Sequence, residues 1–321
     1  MRWLTVSALR ALRLAAVCLG TAGATHAETA YITCQSSQEV GVTDLDTGES
    51  GALWPIPGQP AGVAIGQRDD IYIVAPGAKA VHRLARATGK ALAHTTLEGG
   101  PTGIALDAKR GRLFVSDWFN ARLWVLEAAT LATLAELATG KSPAGIALSE
   151  DGLFLASADK GADQVSLFDA RSLVRLGAVP VGSRPYGLRF APDGRLFVAN
   201  VGSNDVSVID PRKRILLATV PVGERPYAIA FAHGRAFVTN QYHNTVSVIA
   251  LKDLSAVGRI DVGDYPEGID TTGDGKFIVL VNWFGNTLMT IDADTLDVRE
   301  TFDTCDGPRA FGTFLAPGDV K

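Results

Sequence analysis

One segment returns seven times along this chain, and that repetition limits the folds open to it. Prolines at 60, 101, 143, 185, 226, 266 and 308 each open a version of the same pattern, most often Pro-x-Gly followed by small and branched residues, at separations of 41, 42, 42, 41, 40 and 42 residues. The two best copies are VGSRPYGLRFAPDGRLFVANVGSNDVSVID from Val181 to Asp210 and VGERPYAIAFAHGRAFVTNQYHNTVSVIA from Val222 to Ala250. A period near 40 with short alternating apolar runs fits propeller blades of four antiparallel strands. Helical solenoids need long stretches with 3.6-residue periodicity, and the Gly and Pro punctuation leaves no room for them.

Within one unit the small-residue segment after the proline is the innermost strand, A. A turn such as Pro192-Asp193-Gly194 leads to B (Arg195-Leu-Phe-Val-Ala), the alternating Val206-Ser-Val-Ile-Asp is C, and Leu216-Leu-Ala-Thr-Val is D. Near the N-terminus Ala30–Cys34, Glu39–Asp44 and Ala52–Ile56 match B, C and D with no A before them, while Pro308–Leu315 supplies an unpaired A at the other end. The expected fold is all-β: a seven-bladed propeller whose last blade is completed by both termini, so the ring has no open edge. A single domain over 28–321 accounts for seven blades.

Residues 1–27 differ from the rest. Arg2, Arg10 and Arg13 precede a short apolar run that ends in small residues, which reads as a Sec-type signal peptide cleaved near Ala27, or at Ala24. The run is shorter than the roughly 20 residues of a spanning helix, Cys18 lacks a lipoprotein context, and no twin arginines are present. The expected location is periplasmic or secreted. Thirty Lys and Arg stand against 34 Asp and Glu, and removal of the leader would take away three arginines and no acids, leaving a net charge of −7. That balance argues against double-stranded nucleic acid or an anionic membrane as partner. No later segment could insert in a membrane, and a monomer is expected.

Cys34 and Cys305 remain after processing. In the repeat register Cys34 falls at the end of strand B and Cys305 in the D-to-A connection of the same composite blade, so the two sulfurs can meet across the closure. A free or metal-bound pair is the alternative.

The units FVANVGSNDVSVID and FVTNQYHNTVSVI resemble the repeat of the YVTN-type β-propeller family, whose exported bacterial members are often called YncE-like. The resemblance covers about residues 30–315. It is strongest over 181–292 and weakest where Ala75 and Ser157 replace the asparagine that ends strand B. It implies a seven-bladed extracytoplasmic propeller with a poorly defined ligand, and it specifies fold far more than chemistry.

Candidate chemistry lies where the B-to-C and D-to-A connections share one face. The first set contributes Trp118, Phe119, Tyr242, His243, Trp283 and Phe284, the second Arg184, Tyr186, Arg225, Tyr227, Tyr265, Glu267 and Arg309. Aromatics and arginines converging on a rim suit recognition; packing between blades is the competing role for the aromatics. Asp117, Asn200, Asn240 and Asn282 offer one carboxylate, few for a calcium ring, and are expected to cap their own loops. Asp264 and Glu267 flank Pro266 as a possible acid–base pair, or as two solvated acids. The histidines lack zinc spacing, and no nucleophile elbow or phosphate loop is present. No cofactor and no metal are called for. The expected function is non-catalytic binding of a ligand or protein. A lactonase-like hydrolase or a redox-enzyme subunit is the alternative, and single-stranded nucleic acid stacking on the rim a minor one.

Overall fold

The computed structural model describes residues 28–66 and 69–317; the expected leader, 1–27, lies outside the described residues. Seven sheets form the seven blades of a propeller, each with four antiparallel strands, and one of them gains a fifth, parallel strand from the C-terminal segment. We number them from the blade that contains the N-terminal strand Glu28–Cys34, so that blades 2 to 7 follow Pro60, Pro101, Pro143, Pro185, Pro226 and Pro266. Strands B and C are almost wholly buried on both faces, as in Leu196–Asn200, whereas the outermost strands are mostly exposed, as in Arg175–Pro180, where Val179 alone is buried. Each apolar core lies between neighbouring blades: Phe197, Val206 and Val208 of blade 5 pack with Ile229, Val238 and Ile249 of blade 6.

The Pro-x-Gly motif follows from crowding at the axis. A Cβ added at Gly187 would stand 2.1 Å from the carbonyl oxygen of Tyr227, and one at Gly103 2.1 Å from that of Ala144, each in the next blade. Innermost strands pass so closely that most blades leave no room there for a methyl group. The same carbonyls also tie the blades together. The hydroxyls of Ser116, Thr239 and Thr33, on strand B of one blade, donate to the carbonyls of Ala144, Glu267 and Ala61 in the next, at 2.7, 2.9 and 2.7 Å.

The ring closes as a composite blade, with one departure from the expected form. Pro308 bridges Cys34, as Pro185 bridges Asn200, and Leu315–Pro317 pairs antiparallel with Glu28–Ala30. Between them Phe311–Thr313 leaves the blade and runs parallel to Gly62–Ala64 of blade 2, instead of continuing one strand from Pro308 to Leu315. Gly312 permits the detour: its φ is 138° and an added Cβ would meet the carbonyl of Val63 at 2.1 Å. The detour brings the Phe311 ring to 5.2 and 5.4 Å from Tyr186 and Tyr227. On its other side Phe311 lines an axial cavity of about 340 Å³ walled mainly by Ile65, Ile104, Ile146, Leu188 and Ile269.

Two registers expected from the sequence stand as follows. Cys34 and Cys305 form a disulfide, with Cα atoms 5.8 Å apart. In blade 4, however, the residue facing the proline is Asp159, opposite Pro143, not Ser157. Asp159 does the work of asparagine there, accepting hydrogen bonds from Gly140 N, Gln164 Nε2, Ser157 Oγ and Ser166 Oγ.

Two stability tests follow. Gly187→Ala should lower unfolding free energy by about 1–3 kcal/mol through overpacking, read from urea melts; an unchanged midpoint would mean that the innermost strands are free to separate. Cys305→Ser should cost up to about 5–6 kcal/mol, the chain-entropy ceiling for a loop of 271 residues. Wild type in reductant should show the same loss, and a difference below about 1 kcal/mol would show that the bond does not fasten the closure.

Candidate functional site

Two positions in every blade aim side chains at the upper end of the axis. One is the residue after the proline: Ala61, Thr102, Ala144, Tyr186, Tyr227, Glu267 and Arg309, small on blades 2 to 4 and large on blades 5, 6, 7 and 1. The other is the residue after the end of strand B, among them Gln35, Trp118, Lys160, Gln241 and Trp283. The first lies at the start of strand A and the second just past the end of strand B, where the blade holds the backbone, so their side chains start from fixed points.

Glu267 is the centre of the polar cluster and is 1% exposed. Arg309 donates to it through Nε at 2.7 Å and Nη2 at 3.1 Å, and Gln241 Nε2 donates at 2.8 Å. The guanidinium also reaches Tyr227 Oη at 2.9 Å and Gln35 Oε1 at 3.0 Å. Burial lifts the Glu267 carboxyl to about 7 against the opposing pull of Arg309. Arg309 belongs to the C-terminal closing segment, so this ion pair links the last blade to the ring closure. Tyr186 lies beside Tyr227 with ring centroids 4.6 Å apart, and Trp118 stands at 6.4 Å from Tyr186.

Lys160 lies against this cluster, Nζ 4.8 Å from the Trp118 ring and 5.0 Å from that of Tyr186. Burial, then the charges of Arg184, Arg225 and Arg309, bring its ammonium down to about 8. Among the described residues Lys160, Arg184 and Arg225 make no ion pair with a carboxylate. Arg225 instead stacks on Tyr242 at 4.5 Å and donates to its hydroxyl at 2.8 Å. Tyr265, Trp283 and Phe284 continue this aromatic rim, and Trp283 also lies 5.7 Å below the Arg309 guanidinium.

The structure therefore brings together Trp118, Tyr186, Tyr227, Glu267, Trp283 and Arg309, with Arg225, Tyr242 and Phe284 beside them. Tyr227 is buried, as the packing role for aromatics requires, whereas Tyr242 and Phe284 are more than half exposed. Phe119 stands apart at 76% exposure over Gly100, and His243 turns to Glu224, its Nδ1 accepting from the Glu224 amide at 3.2 Å. Asp264 and Glu267 do not form a carboxylate pair: Asp264 is exposed and accepts from Asn244 Nδ2 at 2.8 Å.

The expected loop caps are corrected in part. Asp117 accepts from the amide two residues on, Phe119 N, at 3.2 Å. Asn200, Asn240 and Asn282 reach strand C instead: their Nδ2 atoms donate to Asp205 and Ser207, to Thr245 and Ser247, and to Thr287. Capping falls to the last residue of the B-to-C turn, where Asp163, Asn204 and Asn244 accept from the amides of Arg184, Arg225 and Tyr265 at 2.7, 3.0 and 2.9 Å. Those amides belong to residues with φ of 55, 52 and 62°, so the side-chain acceptors hold the rim residues in a left-handed conformation.

Sequence reasoning missed Lys160 and Gln35 as site residues and left Gln241 outside the site. The available signal was position: each directly follows the residue that faces the proline. Among the described residues no three His, Cys, Asp or Glu side chains gather as a metal cluster.

The model of the family described as Lactonase, 7-bladed beta-propeller matches residues 97–216, from the end of blade 2 into blade 5. No curated protein matches the chain. A functionally unknown protein from Desulfotomaculum acetoxidans DSM 771 superposes with a TM-score of 0.77 at 13% identity, covering 91% of this chain and 99% of that one. Dihydro-heme d1 dehydrogenase NirN, in complex with DHE, gives 0.65 at 14%, covering 91% and 75%. Streptogramin B lyase gives 0.67 at 18%, covering 78% and 89%. At such identities the likeness is one of fold.

Replacing Glu267 with Gln tests the central ion pair. A carboxyl raised from 4.5 to about 7 keeps its proton longer when folded, so it lowers stability progressively as pH rises from about 4.5 to 7, and by nothing below that window. The difference in thermal midpoint between wild type and Glu267→Gln should therefore change with pH between 4.5 and 7. A difference constant across that window would show a carboxylate ionised throughout.

Proposed function

We propose that this chain is an exported, non-catalytic binding propeller that recognises a small planar anion at the upper end of its axis. The observation that carries this reading is charge without compensation: in an acidic protein, Lys160, Arg184 and Arg225 lie close enough for the two guanidiniums to depress Lys160, and among the described residues none is paired with a carboxylate. Cations held apart from their counterions stabilise an incoming carboxylate or phosphate. The half-exposed faces of Trp118, Tyr186 and Trp283 favour a flat ligand, since ring stacking supplies contact area with little loss of freedom. The disulfide, with the arginine-rich leader, supports export. The Phe-Val-Ala-Asn and Phe-Val-Thr-Asn repeats support grouping with the YVTN-type propellers. The same charge balance supports a monomer without double-stranded nucleic acid or membrane partners.

Titration with aromatic carboxylates and aryl phosphates, followed by tryptophan fluorescence, tests the reading. Binding should weaken about tenfold or more in Arg225→Ala and Lys160→Met, roughly 1.4 kcal/mol per lost charge contact, and should fall with added salt. Equal affinity for a neutral aromatic, or variants that bind as wild type, would refute it.

A hydrolase is the second reading, favoured by the lactonase family match and by Glu267 and Lys160, both brought near neutral pKa. Sustained ring opening of simple lactones, lost in Glu267→Gln, would replace the binding reading with this one.

A further inference from the structure

Lys160 differs from every other lysine of the described chain: it alone is not on the exposed surface. Lys79, Lys213 and Lys276 face Glu98, Asp210 and Asp274 at 3.8, 3.7 and 2.8 Å, while Lys160 meets no carboxylate among the described residues and is held against two aromatic rings. Its backbone is fixed, the amide donating to Ser142 O at 3.1 Å directly after the buried Asp159. Its charge meets the faces of Trp118 and Tyr186 and no carboxylate among the described residues. An amine desolvated beside other cations is instead the arrangement in which lysine becomes a nucleophile.

We propose that Lys160 is a covalent capture site for carbonyl compounds that carry an anionic group, forming an imine through Nζ. The inference rests on the anion-binding reading, because Arg184 and Arg225 supply the charge that would hold the carboxylate or phosphate while the aldehyde or ketone meets the amine. The lone pair of the neutral amine attacks the carbonyl carbon and a proton passes from nitrogen to oxygen. The carbinolamine then loses water, and the C=N bond replaces C=O with no change in oxidation state. Burial and the surrounding guanidiniums supply the neutral amine: with a pKa of about 8, roughly a tenth of Lys160 is uncharged at pH 7, about 300 times the fraction of an ordinary lysine. Trp118 and Tyr186 provide stacking faces beside the nitrogen, so flat aromatic aldehydes are the favoured members of the class.

Pyridoxal 5′-phosphate, an aromatic aldehyde with a phosphate, is a suitable probe. The purified protein is incubated with it at near-stoichiometric concentration and sodium cyanoborohydride, and the adduct is mapped by peptide mass spectrometry. Lys160 should be labelled at least tenfold faster than any exposed lysine, pyridoxine 5′-phosphate should suppress the labelling, and Lys160→Arg should remove the fast adduct while leaving the thermal midpoint near that of wild type. Binding of pyridoxine 5′-phosphate, which has no carbonyl, is followed in parallel by tryptophan fluorescence. If it binds in an Arg225-dependent way while Lys160 reacts no faster than the exposed lysines, the imine proposal is overturned and anion recognition stands. If it neither binds nor protects and Lys160 stays unlabelled, both fall.

Discussion

Close approach of the innermost strands is the constraint on which the rest of the molecule depends. Where a Cβ at Gly187 would come within 2.1 Å of a neighbouring carbonyl, the blade has no choice of side chain, and five of the seven copies spell Pro-x-Gly. The hydroxyls of Ser116, Thr239 and Thr33 then take up the crowded carbonyls, so that blade joins blade through buried hydrogen bonds as well as apolar packing. The residue directly after the proline escapes the crowding, because its side chain projects over the upper end of the axis. Variation is concentrated there, from Ala144 on blade 4 to Arg309 on blade 1.

Much of the architecture was legible because steric necessity repeats: seven prolines at nearly constant spacing are hard to produce by any other fold. The disulfide was legible for the same reason, since register alone carried Cys34 and Cys305 to one closure. What escaped was chemistry that imitates the repeat without its letters. Asp159 accepts the hydrogen bonds of its connection as Asp117 does in blade 3, but a search for asparagine passed over it to Ser157, and so passed over Lys160 beside it. The detour at Phe311–Thr313 was hidden in another way, for the segment reads as a plausible strand of small and apolar residues, although Ala310 and Gly312 both take positive φ there. Asn204 and Asn244 were visible in the motif, yet their role needs a partner in the following D-to-A connection, about 20 residues later in the chain.

Electrostatics gives the axis a direction. At the upper end one carboxylate, Glu267, is matched by Arg309, and further cations remain over. On the other side of Phe311, Arg189 reaches across to Asp270 at 2.5 Å, and Asp270 also accepts from Phe314 N at 3.1 Å. That charge is satisfied within the protein and the side chains around it are mainly aliphatic, so the lower cavity offers few free groups to orient a polar ligand. At the upper end Lys160, Arg184 and Arg225 keep donors that no carboxylate of the described residues takes.

Phe311 separates these two environments, and it comes from the segment that closes the ring. A continuous strand from Pro308 to Leu315 would pair with blade 1 throughout, so the parallel pairing with Gly62–Ala64 is what carries the ring into the axis. The same short segment also carries Arg309, two residues earlier, into the ion pair with Glu267. Closure of the fold and completion of the upper site are therefore one event. A chain that failed to seat its C-terminal strand would lose the axial plug and leave Glu267 buried without its guanidinium, which ties the site's chemistry to the integrity of the whole ring.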